Sequence, residues 1–242
     1  MFGYESEKKR FAVRSSAVGE DGEELSSAGQ NIRVSKKCQR FESIKTGLQK
    51  CWASLLSYQS VEYRRQHGEP LIPGIQFMTK MLGLILFYNL CLGMGVVIQE
   101  MVDAEAAGVL FTVNPNDGDP SKMILTANYG LGESVVSASA DPDTFYIKRT
   151  SSGELSISSR TVGSKQSKVI LSDEDGTREE KIEEEESSTL CLSDEKVLEL
   201  GQLGVYLEKA FGGPRDLEFA VSGGTLYLLQ VRREQPPCLF IL

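Results

Sequence analysis

Three polar side chains near the C-terminus have types and a spacing that could bind a cation together with an anion. Glu218 lies in DLEFAV and Gln230 in LYLLQV, and the SGGT between these segments is typical of a hairpin turn. A three-residue loop, 223–225, sets a register that pairs Glu218 directly with Gln230. A carboxylate and an amide oxygen suit a magnesium ion, and Arg232 on the same face suits a phosphate. The alternative is a hairpin whose solvent face carries ordinary polar residues.

A second group of polar residues follows the predicted strand FAVRSSAV at 11–18. Arg14 leaves this strand into a serine-rich turn, where its guanidinium and nearby backbone N–H groups could bind a polyphosphate. A surface turn explains the same pattern equally well. No GxxxxGK[ST] loop is present, and the glycines at 130 and 132 lack the GxGxxG spacing of a dinucleotide site.

A third segment, VIQEMV at 97–102, is apolar and then becomes polar. The backbone C=O and N–H groups at the end of such a strand can meet the amino group and ring nitrogen of an adenine. A buried strand that simply ends there is the alternative.

The elements that must position these residues include both strands and helices. Apolar spacing predicts helices over 43–66 and 194–210, the second with Asp194 as its N-cap. Strands are predicted at 96–101, 107–113, 123–130, 144–148 and 154–162. The segment 172–188 is polar and almost without apolar residues, which predicts an acidic flexible loop.

Composition excludes several classes of protein. The chain has 242 residues, of which 40% are hydrophobic and 25% charged, which allows one good core or two small ones. The formal net charge of −8 argues against nucleic acid or an anionic membrane surface as partners. Residues 173–186 contain nine acidic and two basic side chains and so contribute −7 of that charge.

Cysteine and histidine usage narrows the chemistry further. Five cysteines form no CxxC pair, which favours a reducing, cytoplasmic setting. The single histidine, His67, excludes a multi-histidine zinc site and lies in a polar neighbourhood typical of a solvated residue. The run 81–98 contains no charged residue and is as long as the shortest membrane-spanning helices. Its glycines and Asn89 favour a buried segment or an insertion instead.

A series of segments follows one order along the chain. They are VRSSAVGED (13–21), SSAGQ (26–30), CWASL (51–55), YRRQHG (63–68), VVIQEMV (96–102), AGVLFTVNP (107–115), YGLGESVVS (129–137), DPDTFYIK (141–148) and DLEFAVSGGTLYLLQVR (216–232). Together they resemble the nucleotide-binding domain of the phosphoenolpyruvate synthase and pyruvate phosphate dikinase family, which includes rifampicin phosphotransferases.

This resemblance implies an α+β fold of the ATP-grasp type, with ATP and magnesium as cofactors. The resemblance implies that Arg14 and Gly29 contact the ATP phosphates. It implies that Gln99, Glu100 and Val102 line the adenine pocket. It also implies that Glu218 and Gln230 bind magnesium and that Arg232 binds phosphate. Arg14 and Arg232 would then act catalytically by positioning and neutralising the phosphates. The complete enzyme would phosphorylate a carrier histidine in another domain, and then pyruvate or another small acceptor.

The chain departs from the family pattern in several places. Only about ten residues precede VRSS, so we expect 1–235 to be a partial ATP-grasp domain without its N-terminal part, followed by a tail, 236–242. Residues 75–93 separate motifs that the family joins almost directly, which indicates an aberrant insertion such as translated intron sequence. No carrier histidine motif is present, so we expect the isolated chain to be inactive as a kinase.

Two other functions fit the same sequence. A non-catalytic nucleotide-binding remnant or regulatory module would keep the fold and lose the reaction. A membrane-anchored interaction protein would use the 81–98 run.

Overall fold

The structure is a computed structural model in which the described residues are 9–17, 41–66, 94–137, 140–172 and 176–233. They divide into two compact units: the first contains the described residues up to Met101 together with 176 and 177, and the second contains those from Val102 to Ser172 and from Arg178 onward. Helices combine with mainly antiparallel strands, which confirms the α+β class. Four predictions concern residues outside the described part: the role of Gly29, the solvated His67, the insertion at 75–93 and the tail at 236–242.

The first unit contains a two-stranded antiparallel ribbon and two helices. Their bounds are β1 (Phe11–Ala17), α1 (Phe41–Ser54), α2 (Tyr58–Gln66) and β2 (Met94–Glu100). Alternation along β1 places Val13 on the face that packs against α1, where Val13 and Cys51 are fully buried.

The single helix predicted over 43–66 is wrong, because the chain breaks after α1. Leu55 and Leu56 donate their backbone N–H groups to carbonyls three residues earlier, at 3.3 and 3.0 Å, which tightens the chain into a turn. The Ser57 side chain then accepts the N–H of Ser60 at 3.2 Å and caps the start of α2.

The second unit is built on a six-stranded antiparallel sheet with the order β10-β9-β3-β4-β5-β6. Its strands are β3 (Ala106–Phe111), β4 (Lys122–Tyr129), β5 (Asp143–Arg149), β6 (Leu155–Thr161), β9 (Arg215–Ser222) and β10 (Thr225–Arg233). A separate pair is formed by β7 (Ser167–Leu171) and β8 (Thr177–Lys181). The helices are α3 (Glu133–Val136), α4 (Glu184–Ser187) and α5 (Asp194–Phe211).

Helix α5 covers one face of this sheet and closes the main core. Ser193, one residue before the predicted cap, accepts the N–H of Lys196, and Gly212 ends the helix at a left-handed φ of 71°. Gly201 and Gly204 allow a close approach, since an added Cβ at either would lie 3.0 Å from a side chain. The buried side chains of this core are Ala106, Leu110, Met123, Leu125, Ala127, Phe145, Ile147, Leu192, Val197, Leu200, Leu207, Leu217, Phe219 and Val221.

The acidic segment predicted as a flexible loop over 172–188 contains regular structure instead. Strand β8 pairs with β7, and α4 follows it. Lys168 on β7 forms an ion pair with Glu186 at 3.1 Å, so part of the acidic charge is compensated by a side chain outside the segment. Most residues of β8 and α4 are exposed, in agreement with the predicted solvation.

The uncharged run 81–98 lies mostly outside the described residues, and its last residues belong to β2. Among the helices that the structure describes, none combines the length and the apolar character required to cross a bilayer.

Candidate functional site

The terminal hairpin brings together the three polar residues predicted at 218, 230 and 232. Gln230 lies directly opposite Glu218 in the β9–β10 ladder, which confirms the predicted pairing. Directly opposed residues have Cβ atoms about 4.5–5.5 Å apart, so the carboxylate and the amide can reach one ion. Arg232 follows on the same face, opposite Asp216. All four side chains are half-buried.

The turn that joins the strands differs from the predicted three-residue loop. Gly223 and Gly224 form a two-residue turn at φ values of 54° and 70°, which only glycine adopts without strain. Ser222 therefore pairs with Thr225 rather than with residue 226. The turn is tied to the neighbouring segment, because the Glu105 carboxylate accepts the N–H of Gly223 at 3.0 Å.

A bulge in β10 restores the predicted register. The register shifts by one residue between Leu228 and Gln230, so Leu229 is the extra residue. Without it, alternation would place Leu229 opposite Glu218 and turn Gln230 toward the core. The bulge therefore moves Gln230 and Arg232 onto the face that carries Glu218.

Asp216 is a residue of this face that the sequence reasoning missed. It precedes Glu218 by two positions, so strand alternation alone could have placed it beside Glu218. Its position opposite Arg232 sets a carboxylate against the guanidinium, an arrangement that favours the cross-strand pair. On the other face of β9, Leu217, Phe219 and Val221 belong to the main core.

In the first unit, the structure brings Arg14 and Gln99 together. Arg14 Nη1 donates a hydrogen bond to Gln99 Oε1 at 2.9 Å across the β1–β2 ribbon. Both side chains lie on the face opposite α1, since Val13 and Val96 occupy the α1 face.

The other predicted adenine-pocket residues lie elsewhere. Glu100 is on the α1 face of the ribbon, where its exposed carboxylate pairs with Lys9 at 3.0 Å. Val102 belongs to the second unit. The ribbon thus separates the side chain of Glu100 from those of Arg14 and Gln99. Just after the strand, the backbone N–H of Met101 donates to the carbonyl of Arg10 at 2.8 Å.

A fully buried ion pair in the second unit was not predicted. Lys165 and Asp143 have no solvent exposure, and Lys165 Nζ donates to Asp143 Oδ1 and, at 3.2 Å, to the carbonyl of Gly163. Asp143 also accepts the backbone N–H groups of Gly163 at 2.9 Å and Cys191 at 2.7 Å. Burial and then the Asp143 charge raise the pKa of the Cys191 thiol well above its usual value. The Lys165–Asp143 ion pair therefore links the segments around residues 143, 163–165 and 191.

Comparison with known proteins gives a consistent assignment. The profile of the pyruvate phosphate dikinase AMP/ATP-binding domain matches residues 2–236. A probable phosphoenolpyruvate synthase of Methanocaldococcus jannaschii is 32% identical over 226 residues, which cover 91% of this chain and 17% of that protein. The uncharacterized phosphotransferase YvkC of Bacillus subtilis is 34% identical over 228 residues, covering 93% of this chain and 24% of that protein.

A rifampicin phosphotransferase of a Streptomyces species is 34% identical over 226 residues, covering 93% of this chain and 23% of that protein. The chain thus spans only 17–24% of the length of these three relatives. The profile match covers nearly the whole chain, and the relatives exceed 30% identity over at least 91% of it. The chain therefore belongs to the family of pyruvate phosphate dikinase AMP/ATP-binding domains.

Proposed function

We propose that this chain binds Mg²⁺–ATP as the nucleotide-binding portion of a phosphoenolpyruvate-synthase-like phosphotransferase with an ATP-grasp arrangement. The observation that carries the proposal is the hairpin register, which sets Glu218 opposite Gln230 and leaves Arg232 on the same face. Family membership independently assigns an AMP/ATP-binding domain to these residues.

The donor set on this face fits magnesium held with phosphate. Mg²⁺ is usually bound through one or two carboxylates together with substrate phosphates and water, and Glu218 supplies a carboxylate beside the amide of Gln230. The ion would neutralise phosphate charge. The guanidinium of Arg232, and that of Arg14 in the first unit, would bind phosphate oxygens and orient them. Catalysis in this domain would then rest on positioning and electrostatics.

The backbone of the strand that carries Glu100, continuing to Val102, is our candidate for the adenine contacts. Gly29 is our candidate for close approach to the phosphates. The whole enzyme would transfer a phosphoryl group to a carrier histidine outside this chain and then to pyruvate or another small acceptor. The absence of CxxC pairs from the sequence supports a reducing compartment, for which we propose the cytoplasm.

The test is calorimetric titration of the 242-residue chain with ATP, with and without Mg²⁺. We expect ATP to bind with Mg²⁺ and to bind at least about tenfold more weakly in Glu218→Gln, because one charge-assisted ligand is lost. Gln230→Leu should behave in the same way.

The matched control is Glu154→Gln, which removes an exposed carboxylate from the turn before β6. It should bind ATP as the parent does. Absence of Mg²⁺-dependent ATP binding by the parent chain would overturn the proposal in favour of a remnant that has lost the site. ATP affinity unchanged by Glu218→Gln would place the ion elsewhere.

A further inference from the structure

Tyr227 lies on the same sheet face as Glu218. In the β9–β10 ladder Tyr227 is directly opposite Ala220, and Ala220 follows Glu218 by two positions on β9. Directly opposed residues share a face, and so do residues two apart on a strand. The Tyr227 side chain is 41% exposed whereas Ala220 is buried, so the phenol ring lies at the surface of this face.

The turn of the hairpin decides which residue of β10 occupies this place. The three-residue loop predicted from the sequence would set Leu228, and not Tyr227, opposite Ala220. Such a loop needs a left-handed φ at its third residue, Thr225, which a β-branched side chain disfavours. In the structure the two glycines of the turn take the left-handed φ values instead, and Thr225 begins β10. The register with Tyr227 on the face of Glu218 is therefore the unstrained one.

A side chain of the neighbouring segment holds this turn. The Glu105 carboxylate accepts the N–H of Gly223 at 3.0 Å, and the Glu105 N–H donates to the carbonyl of Val221 at 2.8 Å. The residue just before β3 thus contacts the hairpin at two points. Because the turn is fixed at its first glycine, the register that places Tyr227 is set before any ligand binds, which lowers the cost of binding one.

The position of Tyr227 along the hairpin suits contact with a polyphosphate. Tyr227 is a diagonal neighbour of Glu218, a separation of about 7–8 Å that aromatic side chains can reach across. Arg232 lies on the other side of the Glu218–Gln230 pair. Four residues of β9 separate the partners of Tyr227 and Arg232, which is roughly 14 Å along the strand. Side chains that reach inward from both ends would meet phosphates centred on the proposed Mg²⁺.

A phenol suits this place because it supplies a hydrogen-bond donor without adding charge. Its O–H can donate to a phosphate oxygen, and a hydrogen bond to a charged acceptor is stronger than one between neutral groups. A lysine in the same place would be repelled by the proposed Mg²⁺. Leu228, which the other register would place there, has no donor.

We propose that Tyr227 is a further binding residue of this site, and that its phenol O–H donates to a phosphate oxygen on the side of the Mg²⁺ away from Arg232. This inference rests on the proposed binding of Mg²⁺–ATP and adds one residue to that site. It predicts that removal of the hydroxyl alone weakens the binding of a polyphosphate.

The test is calorimetric titration of the 242-residue chain and of Tyr227→Phe with Mg²⁺–ATP and with Mg²⁺ and inorganic tripolyphosphate. We expect Tyr227→Phe to bind both ligands about threefold to tenfold more weakly than the parent. The matched control is Tyr146→Phe. Tyr146 is 36% exposed and lies on the same sheet face, but on β5, three strands and roughly 14 Å from β9. This control should bind both ligands as the parent does.

Tyr227→Leu separates the hydroxyl from the ring. If Tyr227→Phe binds like the parent and only Tyr227→Leu binds weakly, the ring packs beside the ligand without donating to it, and the inference is overturned. Equal losses of affinity in Tyr227→Phe and Tyr146→Phe would also overturn it, because the effect would not be local. We expect Tyr227→Phe to keep the thermal midpoint of the parent, since the ring that covers Ala220 is retained.

A measurement without ligand keeps this inference separate from the proposed function. Nuclear Overhauser contacts of the Tyr227 ring should reach the Ala220 methyl group. Contacts with the Val221 methyl groups instead would indicate the three-residue loop and overturn the inference, whatever the chain binds. A parent chain that shows the Ala220 contact but binds neither ligand would overturn the proposed function, and with it the donor role of Tyr227. Equal binding by the parent and Tyr227→Phe would overturn the inference alone.

Discussion

The two units position their candidate phosphate-binding residues by different physical means. In the second unit, Glu218 and Arg232 stand on a six-stranded sheet whose opposite face is buried under α5. In the first unit, Arg14 stands on a two-stranded ribbon whose buried core, within the described residues, is Val13 and Cys51. A two-stranded ribbon is marginally stable by itself and depends on what packs against it.

This difference explains where directional hydrogen bonds are needed. Glu218 and Gln230 are set by the ladder register, by the bulge and by core residues on both strands. Arg14 stands on a ribbon with less packing behind it, and its guanidinium donates a hydrogen bond to Gln99 across that ribbon. A residue on a broad sheet can thus be placed by the backbone, whereas one on a ribbon needs a side-chain partner.

The largest predicted effect is the removal of the buried Lys165 ammonium from the second unit. Lys165→Met leaves the Asp143 carboxylate buried without its cation, and we expect the free energy of unfolding to fall by about 3–5 kcal/mol. Urea denaturation followed by circular dichroism measures this loss. Alkylation of the half-buried Cys191 thiol should become faster at the same time, because the segment that Asp143 holds opens more often.

Two variants test the cause of this destabilisation. Adding Asp143→Asn to Lys165→Met removes the uncompensated charge and should recover part of the loss. Lys122→Met breaks an exposed pair with Asp119 and should leave the transition where it is. If Lys165→Met unfolds like the parent, the broad sheet does not depend on this pair and the contrast between the units is wrong.

A second, smaller effect comes from helical glycines at equivalent places in the two units. A Cβ at Gly204 of α5 would lie 3.0 Å from Thr112 and 3.1 Å from Leu110, and one at Gly47 of α1 would lie 2.9 Å from Val13. Overpacking costs about 1–3 kcal/mol, and alanine returns about 1 kcal/mol of helix propensity. We expect Gly204→Ala to lower the thermal midpoint. Strand β3, which carries Leu110, is hydrogen-bonded to β9 on one side and β4 on the other, so it does not move away from α5.

In the first unit, the ribbon can move away from the helix instead. Gly47→Ala should therefore lower the midpoint less than Gly204→Ala does, but weaken tripolyphosphate binding because β1 carries Arg14. Parallel melting curves and titrations of the two variants measure both quantities. A Gly47→Ala variant with a large loss of stability and normal tripolyphosphate affinity would show that the ribbon is as rigid as the sheet.

Strand alternation predicted much of the hairpin, though for a partly wrong reason. Glu218 pairs with Gln230 when the residues of the turn and of any bulge, counted together, are odd in number. A two-residue turn plus the extra Leu229 satisfies this as well as a three-residue loop does. The choice between them depends on how Leu226 and Val231 pack against the main core, which is tertiary information.

Features that depend on distant partners could not be predicted locally. Lys165 and Asp143 lie 22 positions apart in segments that look solvated, and a lysine is almost never fully buried without a partner. The acidic segment looked like a loop because its charge was counted alone, while Lys168 and strand β7 lie outside it. Most strands needed only periodicity, whereas the α+β class came from the resemblance to a family.

The smallest predicted effect is the deletion of Leu229. The residue after Leu228 is then Gln230, which falls opposite Glu218 on the same face without a bulge. We expect the deletion variant to bind Mg²⁺–ATP with about the affinity of the parent chain, since the positions that the ladder sets are unchanged. Calorimetric titration measures it.

A variant that exchanges two side chains without changing the length of β10 should, in contrast to the deletion, bind Mg²⁺–ATP more weakly than the parent. Leu229→Gln combined with Gln230→Leu moves the amide to the bulge, so we expect it to bind as weakly as Gln230→Leu alone. If the exchanged variant binds like the parent, the extra residue is not at 229 and the amide at that position faces Glu218. The sheet would then tolerate a register slip that turns every following side chain to the other face, and it would position its residues no more firmly than the ribbon does.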